Sequence, residues 1–180
     1  MLLRSEKLSP EEKEVLETLD RLGIKWQRFE HPPVFTMEES SLYWKDRGGA
    51  HCKNLFIRNY RGNRHYLVLV RGEKKIDLKW LTQALAEDRL SFASPERLQR
   101  FLGLKAGAVS PFGLIHPAAR EVRVVVDRDL MTETRLNFHP NVNTSTVQIS
   151  REDFLKFLEW CGQKLIFLEM KIDIENPERR

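Results

Sequence analysis

Lys53-Asn54-Leu55-Phe56-Ile57-Arg58-Asn59-Tyr60-Arg61-Gly62-Asn63-Arg64-His65-Tyr66-Leu67-Val68-Leu69-Val70 is the stretch on which the fold turns. Two apolar runs, Lys53–Tyr60 and Arg64–Val70, flank Arg61-Gly62-Asn63, a tripeptide suited to a tight turn. Strand formers on either side of such a turn predict a β-hairpin. Upstream, Gly48-Gly49 breaks the chain, and Trp26–His31 reads as a short strand stopped by Pro32-Pro33. Before it, Ser9 is placed as an N-cap, Pro10 at the first helical position, and Glu12 as the second half of a capping box. Val15, Leu19 and Leu22 then share one face, and Gly23 ends the helix. Thr36 with Glu39 is a second capping box, predicting a short helix to about Lys45.

Downstream of the hairpin, Asp77 caps a predicted helix carrying Leu78, Leu81 and Leu85. Ser94-Pro95 opens another, with Leu98, Phe101 and Leu102 inward and Gly103 as its stop. Gly107–Gly113 reads as a loop, and Val122–Asp127 alternates like a half-buried strand. Short strands are expected near Arg135–Phe138 and Thr144–Ile149, a helix after Ser150 ending at Gly162, and a final strand over Lys164–Ile172. Helices and strands interleave without a regular βαβ rhythm. The expectation is an α/β fold with a single mixed, largely antiparallel sheet and flanking helices. Residues 1–180 read as one domain, with 1–25 an N-terminal helical segment and 175–180 a frayed tail.

Composition narrows the function. The 180 residues carry 30 basic and 26 acidic side chains, a net charge of +4. Hydrophobic residues make up 41% and charged residues 31%, a globular balance that excludes disordered and collagen-like classes. The apolar runs, such as Leu165–Leu168, are too short to span a membrane, and Met1-Leu2-Leu3-Arg4 leads straight into charge. Two cysteines make no disulfide framework. A cytoplasmic protein with no membrane contact is expected.

Common catalytic signatures are missing. There is no G-x-x-x-x-G-K-S/T phosphate loop, G-x-G-x-x-G turn, H-E-x-x-H, C-x-x-C or G-x-S-x-G. His51-Cys52 are strand neighbours that point to opposite faces, a poor start for a metal site. No metal and no cofactor are expected, and Cys52 reads as a small buried strand residue rather than a nucleophile.

Other chemistry is present. Nine basic residues fall between Lys45 and Lys75 against only Asp46 and Glu73. Lys45, Arg47, Arg58, Arg61, Arg64, Lys74 and Lys75 are the candidate contacts to a nucleic-acid backbone, because neutralising phosphates releases counterions; a solvated, solubilising surface is the other reading. Lys53 could direct its ammonium into a cleft to hold a phosphate or oxyanion, or could merely flank a strand. His139, restricted by Pro140, could serve as acid, base or pocket wall, or as a satisfied core histidine. Asn143-Thr144-Ser145-Thr146 could line the same cleft or form a turn. Gly107-Ala108-Val109-Ser110-Pro111 frames a bend that could hold a ligand through main-chain groups, or simply connect two elements.

In this order, Lys53-Asn54-Leu55-Phe56, Gly107-x-x-x-Pro111-Phe112-Gly113 and Asn137-Phe138-His139-Pro140 with Asn143-Thr144 resemble the free-standing alanyl-tRNA(Pro) editing proteins called ProXp-ala, of the YbaK/prolyl-tRNA-synthetase-associated superfamily. The likeness runs from His31-Pro32-Pro33-Val34-Phe35-Thr36 to the final strand, and Asp77-Leu78 and Ser91–Leu98 fit it. It implies an aminoacyl-tRNA deacylase that cleaves alanine from tRNA(Pro) without a metal or an enzyme nucleophile, the attacking water assisted by the substrate's own ribose hydroxyl. Lys53 would be the essential lysine near the terminal adenosine, and Asn54 a substrate contact. Gly107, Ala108, Val109, Ser110 and Pro111 would hold the aminoacyl end, and His139 would line the amino-acid pocket and help exclude proline. The implied partners are the acceptor stem of tRNA(Pro) carrying alanine and, left open, prolyl-tRNA synthetase. Two alternatives stand beside this: the same fold acting on cysteinyl-, seryl- or threonyl-tRNA, and a tRNA-binding module without turnover.

Overall fold

The computed structural model describes residues 8–34, 43 and 48–170. Ser9 opens α1 (Pro10–Arg21) by accepting a hydrogen bond from the Glu12 amide, and Val15, Leu16 and Leu19 are buried. Glu12 does not complete the expected capping box. The carboxylate that turns to Ser9 is that of Glu11, lowered in pKa by hydrogen bonds from its own main chain and from Ser9. Glu12 instead dives into the core beneath the helix, where Arg28 and Ser145 meet it.

The hairpin forms as expected, longer at its start. β2 (Ala50–Asn59) pairs antiparallel with β3 (His65–Arg71), from Cys52 opposite Arg71 to Arg58 opposite His65. In the turn, Asn59 Oδ1 accepts the amides of Asn63 and Arg64, and Gly62 takes a φ of +68°, the left-handed region that favours glycine. β1 (Trp26–Glu30), β4 (Leu90–Phe92), β5 (Val122–Asp127), β6 (Arg135–Phe138), β7 (Ser145–Ser150) and β8 (Leu165–Leu168) complete an eight-stranded sheet of order β1-β7-β6-β2-β3-β5-β8. β4 lies off this path, against β2.

The sheet is mixed. β1–β7, β2–β3, β2–β4 and β6–β7 run antiparallel; β2–β6, β3–β5 and β5–β8 run parallel. β5 was expected to be half-buried, but Val124, Val125 and Val126 are all fully buried. The reason is its place between two parallel neighbours, with both faces covered. One core packs α1, α3 (Pro95–Leu102) and α4 (Arg151–Cys161) on one face of the sheet around Phe112, Phe138, Phe154 and Phe157. A smaller core on the other face joins Ile57, Tyr66, Val68 and Val70 to α2 (Leu78–Ala84) through Leu81.

Ser94 and Ser150 cap α3 and α4, and Gly103 and Gly162 end them in the left-handed region, as their sequences predict. Past Gly107–Val109, the predicted loop tightens into a 3-10 turn at Pro111–Ile115, capped by Ser110. The final strand covers Leu165–Leu168. The helix predicted from Thr36 to Lys45 and the tail at 175–180 lie outside the described residues.

Candidate functional site

β2 carries a gap in its pairing. On the side away from β3, Ala50 and His51 pair with β6, and Ile57 to Asn59 pair with β4. Between them, Cys52 to Leu55 have no strand neighbour on that side among the described residues. The site gathers along this opening. Asn54 donates through Nδ2 to the Val109 carbonyl at 3.1 Å, tying β2 to the 107–111 loop. Its Oδ1 is buried and has no hydrogen-bond partner among the described residues.

The loop is fastened to the histidine segment in turn. Ser110, fully buried, donates to the His139 carbonyl at 2.5 Å and accepts the Phe112 amide. The His139 ring donates through Nδ1 to the Ser145 carbonyl at 3.0 Å, which leaves the Nε2 lone pair in the neutral ring. Burial first, and His31 beside it, hold the His139 pKa below the ordinary value against the opposing Ser145 bond. Neutral imidazole is therefore its form near pH 7.

Two further histidines stand at this site: His31, which the sequence marks only as the end of a strand, and His51, weighed there only as half of a poor metal pair with Cys52. His31 lies 5.8 Å from His139, ring to ring, with Nε2 3.1 Å from Thr146 Oγ1. His51 is close enough for His139 to depress its pKa, after burial and against Glu73. The signals were available: His31 precedes Pro32-Pro33, and His51 falls two residues before Lys53. Among the described residues no group of three His, Cys, Asp or Glu could hold a metal ion.

Lys53 and Asn54 do not point the same way. Cys52 and Phe56 pack on the larger core and Leu55 and Ile57 on the smaller, so alternation puts Asn54 on one face of β2 and Lys53 on the other. The Lys53 ammonium donates to the Lys74 carbonyl at 2.9 Å and meets no carboxylate among the described residues. Gly107 takes a φ of +86°, Ala108 is buried, and Pro111 starts the 3-10 turn. Asn143 accepts the Val34 amide through its carbonyl, joining the site to the segment that follows β1. Burial first pushes the Cys52 thiol up, against the Asn137 amide bond, although the residue is half-buried at the edge of the larger core rather than fully buried.

The basic stretch is not the continuous surface that its sequence suggests. Lys74 is buried, paired with Asp127 at 2.9 Å and Asp129 at 2.6 Å. Arg64 pairs with Glu87 and Arg71 with Glu73 and Glu133. A count along the chain misses the acids that Asp127, Asp129 and Glu133 bring in from β5 and beyond. Arg61 and Lys75 are exposed, Arg58 is half-buried, and Lys45 and Arg47 lie outside the described residues.

Residues 31–157 match the model of the aminoacyl-tRNA editing domain, and the chain belongs to that family. It is an aminoacyl-tRNA deacylase, and its substrate is a charged tRNA. The chain is 40% identical to the prolyl-tRNA editing protein ProX of Acetoanaerobium sticklandii over 156 residues, 87% of this chain and 95% of that one. It is 36% identical to the prolyl-tRNA synthetase associated domain-containing protein 1 of Danio rerio, over 82% of this chain and 80% of that one. The crystal structure of a candidate trans-editing enzyme for prolyl tRNA synthetase shares the fold, with a TM-score of 0.71, 23% identity, and coverage of 92% of this chain and all of that one. No helix among the described residues is long and apolar enough to cross a membrane.

Proposed function

We propose that this deacylase hydrolyses the ester between alanine and tRNA(Pro), leaves prolyl-tRNA(Pro) intact, and works in the cytoplasm where tRNA is charged. The observation that carries the reading is Asn54 Oδ1, beside the gap in β2, a buried acceptor without a partner among the described residues. Such an atom is costly to bury alone, by about 1–3 kcal/mol, and an α-ammonium is a donor that would satisfy it. An aminoacyl ester offers that ammonium next to the scissile carbonyl. The names of the relatives favour prolyl-tRNA as the editing context.

The chemistry asks little of the protein. Water adds to the ester carbonyl, and the bond to the ribose oxygen breaks, releasing alanine and tRNA. The vicinal ribose hydroxyl assists the water, as the family resemblance implies. Lys53, with donors left after its bond to the Lys74 carbonyl, holds a phosphate or the developing oxyanion. Gly107 to Pro111 supply main-chain groups to the aminoacyl end, and neutral His139 with Asn143 walls the pocket. Discrimination follows from size. A synthetase pocket made for proline loses only about 1–3 kcal/mol per missing methylene when alanine enters. A second, smaller pocket rejects proline by overlap, a steeper barrier.

A panel of labelled alanyl-, prolyl-, cysteinyl-, seryl- and threonyl-tRNAs tests this. The alanyl ester is expected to be cleaved and the prolyl ester to persist. Lys53→Ala is expected to lose about 10²-fold or more in rate, and His139→Ala to begin cleaving prolyl-tRNA. An intact alanyl ester at high enzyme concentration overturns the reading, and wild-type rates in Lys53→Ala overturn the role of that residue. Whether prolyl-tRNA synthetase must be present is read by adding it to the same assay.

A further inference from the structure

Three arginines meet at the far end of the hairpin, and none is paired with an acid among the described residues. Arg97, on α3, donates from Nη1 to the Gly62 carbonyl and to His65 Nε2, both at 2.9 Å. Arg58, on β2, donates to the carbonyls of Asn59 and Tyr60 at 3.0 and 2.7 Å. Arg100 lies over the Phe101 ring at 5.1 Å. All three are close enough to depress the His65 pKa, in which burial is the largest cause. In this they are unlike Arg64 at the same end of the hairpin, which pairs with Glu87.

The arrangement is braced rather than loose. Arg97 donates to His65 Nε2, so that nitrogen is an acceptor and the ring is neutral. The ring packs against two aromatic neighbours, 4.0 Å from Phe101 and 5.6 Å from Phe56. The guanidiniums are thus held by carbonyls and rings, which fix their position and leave their charge uncancelled. Tyr60, beside Arg58, is 67% exposed. Fixed, unpaired guanidiniums next to an exposed aromatic are suited to phosphodiesters and a stacked base.

The patch also lies in line with the site. Between Asn54 and Arg58, Phe56 is buried in the core, so an RNA strand joining the two passes over the outside of the protein. Arg58 is four strand residues from Asn54 along β2, about 13 Å. That is about four nucleotides of a stacked strand at ~3.4 Å each. We propose that Arg58, Arg97 and Arg100 seat the phosphates of the tRNA's single-stranded 3′ tail where it leaves the acceptor stem, about four nucleotides from the aminoacyl end. This rests on the reading that the aminoacyl ester is bound at Asn54.

The test is equilibrium binding of two uncharged RNAs across a salt series: an acceptor-stem hairpin ending in four unpaired nucleotides, and the same hairpin cut blunt. Arg58→Gln/Arg100→Gln leaves the Arg97 brace in place, and its thermal unfolding is compared with wild type. It is expected to bind the tailed RNA about tenfold more weakly, with the log–log salt slope reduced by about 1.4, from ~0.7 per phosphate on a single strand. The blunt RNA is expected to show little change, and Arg64→Gln, whose arginine already pairs with Glu87, none with either. An unchanged slope in the folded double variant, or equal losses with both RNAs, overturns the proposal. Wild-type protein that cleaves alanyl-tRNA while the slope is unchanged sinks the patch alone. A tail-dependent loss in a protein that cleaves no alanyl ester sinks the alanine reading and leaves the patch standing.

Discussion

Glu12 and Ser145 share a hydrogen bond of 2.5 Å although 133 positions separate them in the chain. Ser145 gives its hydroxyl to Glu12 and its carbonyl to His139, so one residue couples the first helix to the site. Glu12 is itself neutralised by Arg28, at 2.6 and 3.3 Å. Glu12→Ala would leave Arg28 and the Ser145 hydroxyl without their shared acceptor. Arg28 is partly exposed and keeps Glu30 at 3.4 Å, so the cost is that of buried hydrogen bonds left unmade, about 1–3 kcal/mol. The expected result is that loss of stability, together with a fall in deacylation rate as Ser145 loosens its hold on His139. Denaturant unfolding and single-turnover rates check both, and Glu12→Gln is expected to recover part of each.

Lys74 is expected to be a stability residue and not an RNA contact. Its ammonium is enclosed by Asp127, Asp129 and the Met170 carbonyl. Lys74→Ala strands Asp127, which is fully buried, at a cost of about 3–5 kcal/mol. The matching check is tRNA affinity measured where the variant is still folded, which should equal that of wild type. A salt slope reduced by one phosphate would contradict it.

His65 gives the protein a pH dependence of known sign. Burial first, then Arg97, Arg100 and Arg58, bring its pKa to about 4 from 6.5. The folded value is the lower one, so the unfolded chain binds the proton more readily in between. Stability from this residue is therefore complete above about pH 6.5 and drains away as pH falls towards 4, by up to about 3 kcal/mol. Urea unfolding from pH 7 to 4 should show His65→Gln losing less than wild type over that window, since Gln keeps an acceptor for Arg97 without taking a proton.

Gly49 holds the join between β2 and β6. Its φ is +79°, and a Cβ there would come within 2.9 Å of the Arg135 carbonyl oxygen. Gly49→Ala meets both backbone strain and a main-chain clash. A loss of about 1–3 kcal/mol is expected, with weakened amide-exchange protection at Ala50 and Leu136. Gly48→Ala, whose Cβ would meet nothing within 4 Å, should cost only the strain of its φ of +65°.

Much of the frame was legible along the chain because its punctuation is local. Ser94-Pro95 with Gly103, and Ser150 with Gly162, mark helices whose ends need only a few residues to specify. The hairpin was legible for the same reason. What escaped depends on distant partners. Glu12 looked like a cap because Arg28 and Ser145 are invisible at that distance, and β5 looked half-buried because neither parallel neighbour adjoins it in sequence. β4, three residues long, carries too little periodicity to announce itself. At the site, Asn54, Val109, Ser110 and His139 were picked out singly and prove to be joined by hydrogen bonds. The opposite orientation of Lys53 follows from strand alternation, but only once β2 is known to run unbroken through it.

The gap in β2 has a consequence for association between copies. An open strand edge invites another chain to add to the sheet. Here, among the described residues, the unpaired length is only Cys52 to Leu55, about 13 Å, closed at one end by β6 and at the other by β4. A visiting strand would collide with both before gaining more than two or three bonds. The protein thus exposes main-chain polar groups to a small ligand while denying them to aggregation.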